Sequence, residues 1–254
     1  MANGAGAVSG ALSTAGFLGD FGGAFDFIFS QRPGEGSTQS VMVGGLDQIW
    51  ELLSSQALIS IMALLLAIAI ALPIGVYLGH RGTGEFIAVA VGNAGRAVPE
   101  LALIALMIAF IGTGALNVTI AVMILGIPPI LTNAFVGMRQ VDRGAVEAAR
   151  GVGMTESEII TKVELPLAIP TIMGGVRTAS VNIVATSTIG SLAGVDTLGQ
   201  LILGEAEYGN EGVIAGAIVV AALALFFEAV LAGIQYWLTP RGLELQRATA
   251  RATA

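Results

Sequence analysis

The stretch Glu147-Ala148-Ala149-Arg150-Gly151-Val152-Gly153-Met154-Thr155-Glu156-Ser157-Glu158-Ile159-Ile160-Thr161-Lys162-Val163-Glu164-Leu165-Pro166 lies in the longest polar interruption of an otherwise apolar chain. Its local signals predict two short helices joined by a sharp turn. Asp142 is a candidate N-cap for a helix through Arg150, because its carboxylate can accept from the first free backbone N–H groups. Gly151 and Gly153 permit the turn. Thr155 followed three residues later by Glu158 fits a reciprocal capping box that opens the second helix. Pro166 and Pro170 are expected to mark the return of the chain toward the apolar part.

The sequence on either side is of membrane grade. Hydrophobic residues make up 55% of the chain and charged residues 11%, against about 25% charged in an ordinary soluble domain; the mean hydropathy is +0.84. Five apolar runs, roughly 57–79, 86–111, 117–137, 177–199 and 213–238, each approach the ~20 residues a helix needs to cross the hydrocarbon layer. The fourth is the least apolar, since it carries Asn182, Thr186, Ser187 and Thr188. The basic residues fix an orientation. Arg81 follows the first run, Arg139, Arg143, Arg150, Lys162 and Arg177 lie between the third and fourth, and Arg241, Arg247 and Arg251 follow the fifth. The opposite connections, 112–116 and 200–212, hold no Lys or Arg, and the second carries Glu205, Glu207 and Glu211. The positive-inside rule then places the N-terminus outside and the C-terminus in the cytoplasm, with Arg32 as the exception. The expected organisation is an outer extension over 1–55, a transmembrane domain over 56–240 with a cytoplasmic loop over 139–176, and a cytoplasmic tail over 241–254. Within the extension, 1–24 read as flexible Gly/Ala/Ser sequence. Residues 45–53 read either as an interfacial helix or as an extension of the first span. Phe25, Phe27, Ile28 and Phe29 could dip into the outer leaflet. The N-terminus lacks the basic-then-apolar pattern of a signal peptide.

In spacing, the quoted stretch is Glu-Ala-Ala, three residues, Gly153, nine residues, Val163, one residue, then Leu165-Pro166. It resembles the cytoplasmic signature loop of bacterial ABC-importer permeases, with Val163 where that family usually has Ile. The resemblance continues through Pro73-Ile74-Gly75, Ala97-Val98-Pro99-Glu100-Leu101-Ala102, Ile127-Pro128-Pro129-Ile130, Gly175-Val176-Arg177-Thr178-Ala179 and Ala185-Thr186-Ser187-Thr188-Ile189-Gly190. It covers about 57–240 and is strongest to permeases for quaternary amines: glycine betaine, choline and carnitine. Glu100 departs from the small polar residue usual there, and Val195-Asp196-Thr197 replaces a Gly-rich turn. The resemblance implies an all-α membrane protein with the five transmembrane helices of the type I importer core. It implies coupling to a cytosolic ABC ATPase through Glu147, Ala148, Ala149, Gly153, Met154, Leu165 and Pro166. It also implies a second permease copy or paralogue, an extracytoplasmic substrate-binding protein, residence in a bacterial or archaeal cytoplasmic membrane, and no cofactor in this chain, ATP and Mg being bound by the ATPase. On the residues alone, the loop could instead be an ordinary re-entry loop with two amphipathic helices.

Polar residues inside the apolar runs are candidates for the translocation pathway. Arg96 and Glu100 are four apart and would share a helix face, with Asn93 a turn before. They read either as a pathway lining or gate, or as a self-neutralised pair, because a lone intramembrane charge is costly. Asn182, Thr186, Ser187 and Thr188 give the fourth run a weakly polar face that serves either a conduit or helix packing. Glu228 is a further acid in the fifth run, which either contacts a polar group of a neighbouring span or lies toward the inner surface.

Other function classes find little support. The single histidine, His80, reads as a solvated loop residue rather than a metal ligand. With no cysteine and no clustered carboxylates on one loop, there is no credible catalytic set. A P-loop needs Gly-Lys-Ser/Thr, and the one lysine, Lys162, follows Thr161. A stand-alone secondary transporter or channel is a rival from another class, against which stands the absence of an inverted internal repeat. The same importer architecture serving methionine or another small solute is the nearer rival. Nothing points to nucleic acid.

Overall fold

The structure is a computed structural model that describes residues 14–35 and 42–240, apart from the side chain of Arg96 and those before Gly19. The expected flexible start at 1–13 and the basic tail with Arg241, Arg247 and Arg251 lie outside the described residues. Helix α1 (Thr14–Phe29) leads into a two-stranded antiparallel hairpin, β1 (Gln31–Pro33) and β2 (Met42–Gly44). The rest is helical: α2 (Gly45–Arg81), α3 (Glu85–Ala97), α4 (Glu100–Ile111), α5 (Ala115–Arg139), α6 (Arg143–Gly151), α7 (Glu156–Ile159), α8 (Leu165–Ser187), α9 (Gly199–Leu203) and α10 (Glu205–Leu238). A π-helical segment, Ile160–Glu164, joins α7 to α8, and a 3-10 segment, Thr188–Ala193, follows α8.

Among the described residues, four helical stretches are long and apolar enough to cross a membrane, and a fifth arises if the bent pair α3–α4 counts as one span. The break falls where the chemistry demands it. Pro99 has no N–H and forces Val98 out of the helical region, and both residues are extended, with ψ near 120°. The expectation that Arg96 and Glu100 share one helix face therefore fails: they belong to two helices on either side of the break.

The core is an α2–α5–α8 bundle. Ala63, Ala67 and Ala71 of α2 meet Val118, Ala121, Val122 and Ile130 of α5 and Val176, Ala179 and Ile183 of α8, all buried. Small residues permit the approach. A Cβ on Gly75 would stand 2.6 Å from the Ala134 Cβ, and one on Gly79 2.6 Å from the Met138 Cβ. The four-residue spacing of these glycines puts both on the α5 face, the small-xxx-small arrangement of close membrane helix pairs. Outward positions such as Leu58, Leu65, Phe110, Leu225 and Phe226 are exposed, as a face meeting acyl chains requires.

Of the two readings of residues 45–53, the extension of the first span is the one the structure has: they start α2, whose 37 residues span about 55 Å at 1.5 Å per residue, well beyond ~30 Å of hydrocarbon. Residues 14–24 are helical rather than flexible, because α1 packs on α10. Phe27 does not face lipid: it is buried, with its ring edge-to-face against Tyr208 at 6.4 Å between centroids. Arg32, the exception to the charge rule, lies over the Phe27 ring at 4.7 Å and pairs with Glu211.

Candidate functional site: a loop surface and a polar cleft

The segment Arg139–Glu164 forms a compact cap on one end of the bundle. Asp142 accepts from the Gly144 N–H at 2.9 Å and so starts α6. Gly153 adopts φ +88°, and the Met154 N–H returns to the Ala149 carbonyl at 3.1 Å. The capping box forms as read: the Thr155 N–H donates to Glu158 Oε2 at 3.0 Å, and the Glu158 N–H to Thr155 Oγ1 at 3.4 Å. The Lys162 ammonium, then Thr155, hold the Glu158 carboxyl down to about 2. Arg150 grips Glu156 through both carboxylate oxygens at 3.1 and 3.0 Å, which raises the Arg150 pKa and lowers that of Glu156.

Of the residues expected to couple to the ATPase, Ala149 faces inward. With Val146 it packs against Met138, Val141, Ile159, Ala168 and Ile172. The outward surface is Glu147, Ala148, Gly151, Val152 and Gly153, and Val152 is 81% exposed. Met154, Leu165 and Pro166 are half-buried beneath it. Val152 carried no sequence signal, since one valine in a polar loop reads as an anchor.

The two prolines do not turn the chain as expected. α8 begins at Leu165, a dozen residues before the expected start, and runs through both Pro166 and Pro170 to Ser187, about three turns short of the expected end. The π segment explains this: the Leu165 N–H reaches the Ile160 carbonyl, a wider turn that eases the clash of a proline ring with the preceding turn. Arg177 is consequently a residue of α8 rather than of a loop. It binds Glu228 of α10, with Nε to Oε1 at 2.9 Å, and Gln235 at 2.9 Å. Of the two readings of Glu228, contact with a polar group of a neighbouring helix is the one found.

The polar residues of the fourth run divide into two sets. Asn182 is exposed, whereas Thr186 and Ser187 are buried and Thr188 half-buried. The Ser187 hydroxyl donates to the Val184 carbonyl at 2.8 Å and lies 3.2 Å from that of Ser60. Gln56, fully buried on α2, organises this region: its Nε2 donates to the Val184 carbonyl at 3.0 Å and to Thr188 Oγ1 at 3.1 Å, and its Oε1 accepts from the Leu198 N–H at 3.0 Å. A lone amide near the start of an apolar span is the signal that would have found it. Asn182 and Thr178 face a cleft of about 160 Å³ shared with Thr132, Asn133, Gly92 and Pro128. The same two residues line an adjoining groove with Gly174, Val181, Arg177 and Glu228. Asn93 on α3 and Glu100 at the start of α4 are exposed, and neither is among the residues lining these two spaces.

Residues 67–242 match the family described as the binding-protein-dependent transport system inner membrane component. The chain belongs to this family. Among its relatives, the carnitine transport permease protein OpuCB of Listeria monocytogenes is 37% identical over 203 residues, 80% of this chain and 91% of that protein. The choline transport system permease protein OpuBB of Bacillus subtilis is 35% identical over 187 residues, 73% and 86% of the two chains. Among solved structures, a chain of the MetNI methionine ABC transporter in an inward-facing conformation matches with a TM-score of 0.67 over 76% of this chain and 99% of that one, at 20% identity. That last likeness establishes the fold. The chain is thus a multi-pass permease component with the type I ABC-importer permease fold.

Proposed function

We propose that this permease carries a small quaternary-amine osmoprotectant (glycine betaine, choline or carnitine) into the cell, driven by ATP hydrolysis on a separate subunit. The observation that carries this reading is identity of 35–37% over most of the chain to permeases named for carnitine, choline and glycine betaine. The methionine reading has only a likeness of fold behind it. Two cytosolic ATPases would bind two copies of the loop, on this chain and on a second copy or paralogue, and an extracytoplasmic binding protein would deliver the substrate. The ATPases would hold ATP and Mg. The basic loop end of the bundle faces the cytoplasm and the α1–hairpin end faces outward, as the distribution of Lys and Arg supports.

The loop surface Glu147-Ala148 with Gly151, Val152 and Gly153 is the docking face for the ATPase, supported by its exposure above a buried anchor of Val146 and Ala149. Met154, Leu165 and Pro166 transmit its displacement to α8. Asn182 and Thr178, with Thr132 and Asn133, line the pathway, and Asn93 and Arg96 before the Pro99 break and Glu100 after it flank it. Thr186, Ser187 and Thr188 hold that lining in place from behind. A quaternary ammonium has no N–H to donate, so a weakly polar, small-residue conduit suits its transit, with tight capture left to the binding protein. The test is ATP-driven accumulation of labelled glycine betaine in vesicles holding permease, ATPase and binding protein. Accumulation that needs all three supports the reading, and accumulation without the ATPase contradicts it.

A further inference from the structure

His80 is not the solvated loop residue its position suggests. It occupies the last turn of α2, and its side chain is only 8% exposed. Its Nδ1 lies 2.5 Å from Glu164 Oε2, in the π segment that opens α8. Its Nε2 lies 3.2 Å from Glu156 Oε2, at the first turn of α7. Glu156 is in turn held by Arg150 of α6. One imidazole thus joins α2 to α7 and to the root of α8, and through Arg150 to the helix that carries the outward loop surface.

The surroundings make this connection consequential. Glu164 is 5% exposed, and a buried carboxylate without a partner is strongly disfavoured, so its position is tied to that of the ring. The end of α2 is itself fixed, because Gly79 lies against Met138 and Phe135 of α5 too closely for any side chain. Beside the ring a cavity of about 320 Å³ carries Arg81, Arg139, Arg143 and Glu147 in its wall, leaving room for the loop to shift unless the polar link holds it. Apolar contacts also join the cap to the bundle, but they slide, whereas a hydrogen bond to a charged group has one geometry.

We propose that His80 is a positioning residue for energy coupling: it pins the end of the first long span to Glu164 and Glu156, so that the loop and the α2–α8 bundle move as one body when the ATPases close. This rests on the functional reading above. The experiment uses the reconstituted importer and measures substrate imported per ATP hydrolysed for wild type, H80A, H80N and H80Q. ATPase co-purification and melting temperature in detergent are followed in parallel. Asparagine places its amide nitrogen where Nδ1 stood, facing Glu164, and glutamine where Nε2 stood. H80A should keep the ATPase bound and lower import per ATP roughly ten-fold, the scale of one hydrogen bond to a charged group. H80N should restore most of it and H80Q little. Unchanged coupling in H80A, or equal rescue by both amides, overturns the proposal. If H80A does not fold, E164Q, which keeps shape and removes the charge, must show the same loss, and normal coupling there overturns it too. Wild type that imports no quaternary amine while its ATPase turns over would defeat the substrate reading instead, and co-purified ATPase activity would then report on the link.

Discussion

Gln56 shows how much one polar side chain fixes inside an apolar span. It satisfies the Leu198 N–H and the Val184 carbonyl at once, joining α2, α8 and the segment before α9. Gln56→Leu should cost roughly 1–3 kcal/mol, because a buried N–H loses its acceptor, and a lower melting temperature in detergent checks it. Gly79 fixes a distance in the same way. Gly79→Leu sets a Cβ 2.6 Å from the Met138 Cβ and 2.9 Å from the Phe135 carbonyl oxygen; overpacking of this kind costs about 1–3 kcal/mol and should separate α2 from α5. Glu158 acts at the surface and its contribution is set by pH. Its folded pKa of about 2 lies below the ordinary 4.5, so its capping contribution is complete above pH 4.5 and is lost as the pH falls through about 2. Exchange of the Glu158 amide should accelerate across that window beyond the intrinsic trend, and Glu158→Gln should abolish the excess.

Among elements, the cap of α6, α7 and the π segment carries the functional reading. Gly153 sits at φ +88° with open space around it, so the obstacle to substitution there is backbone conformation rather than room. Gly153→Asp should leave membrane insertion intact and abolish ATPase co-purification or transport; normal coupling in that variant would sink the assignment of the loop. Most of this element is legible in the sequence because its signals are local: Asp142, Thr155 with Glu158, and Gly153 each act within a turn. What escapes is non-local or cooperative. His80 and Glu164 are 84 residues apart, and so are Arg177 and Glu228 far apart on different helices, so neither pairing has a spacing to read. Pro166 and Pro170 look like stops because the π turn that tolerates them has no composition of its own. The helix over 14–24 is Gly-rich and weak in propensity, and it is helical because α10 offers it a face.

At the scale of the molecule, the exposed polar strip on α8 and α10 sets the geometry of transport. Thr178 and Asn182 line both the cleft and the groove, and the groove also carries the Arg177–Glu228 pair; charges at membrane depth belong toward protein or water rather than lipid. The chain has no cysteine, so single cysteines report cleanly. Asn182→Cys should react with a water-soluble thiol reagent and be protected by substrate, while Ser187→Cys, at a fully buried position, should stay unreactive. The most direct test of the central claim is competition in the reconstituted importer: labelled glycine betaine, driven by ATP, against excess choline and excess methionine. Inhibition by choline and not by methionine is the predicted result. ATPase activity stimulated by the permease with no glycine betaine uptake, or uptake blocked by methionine alone, would contradict it.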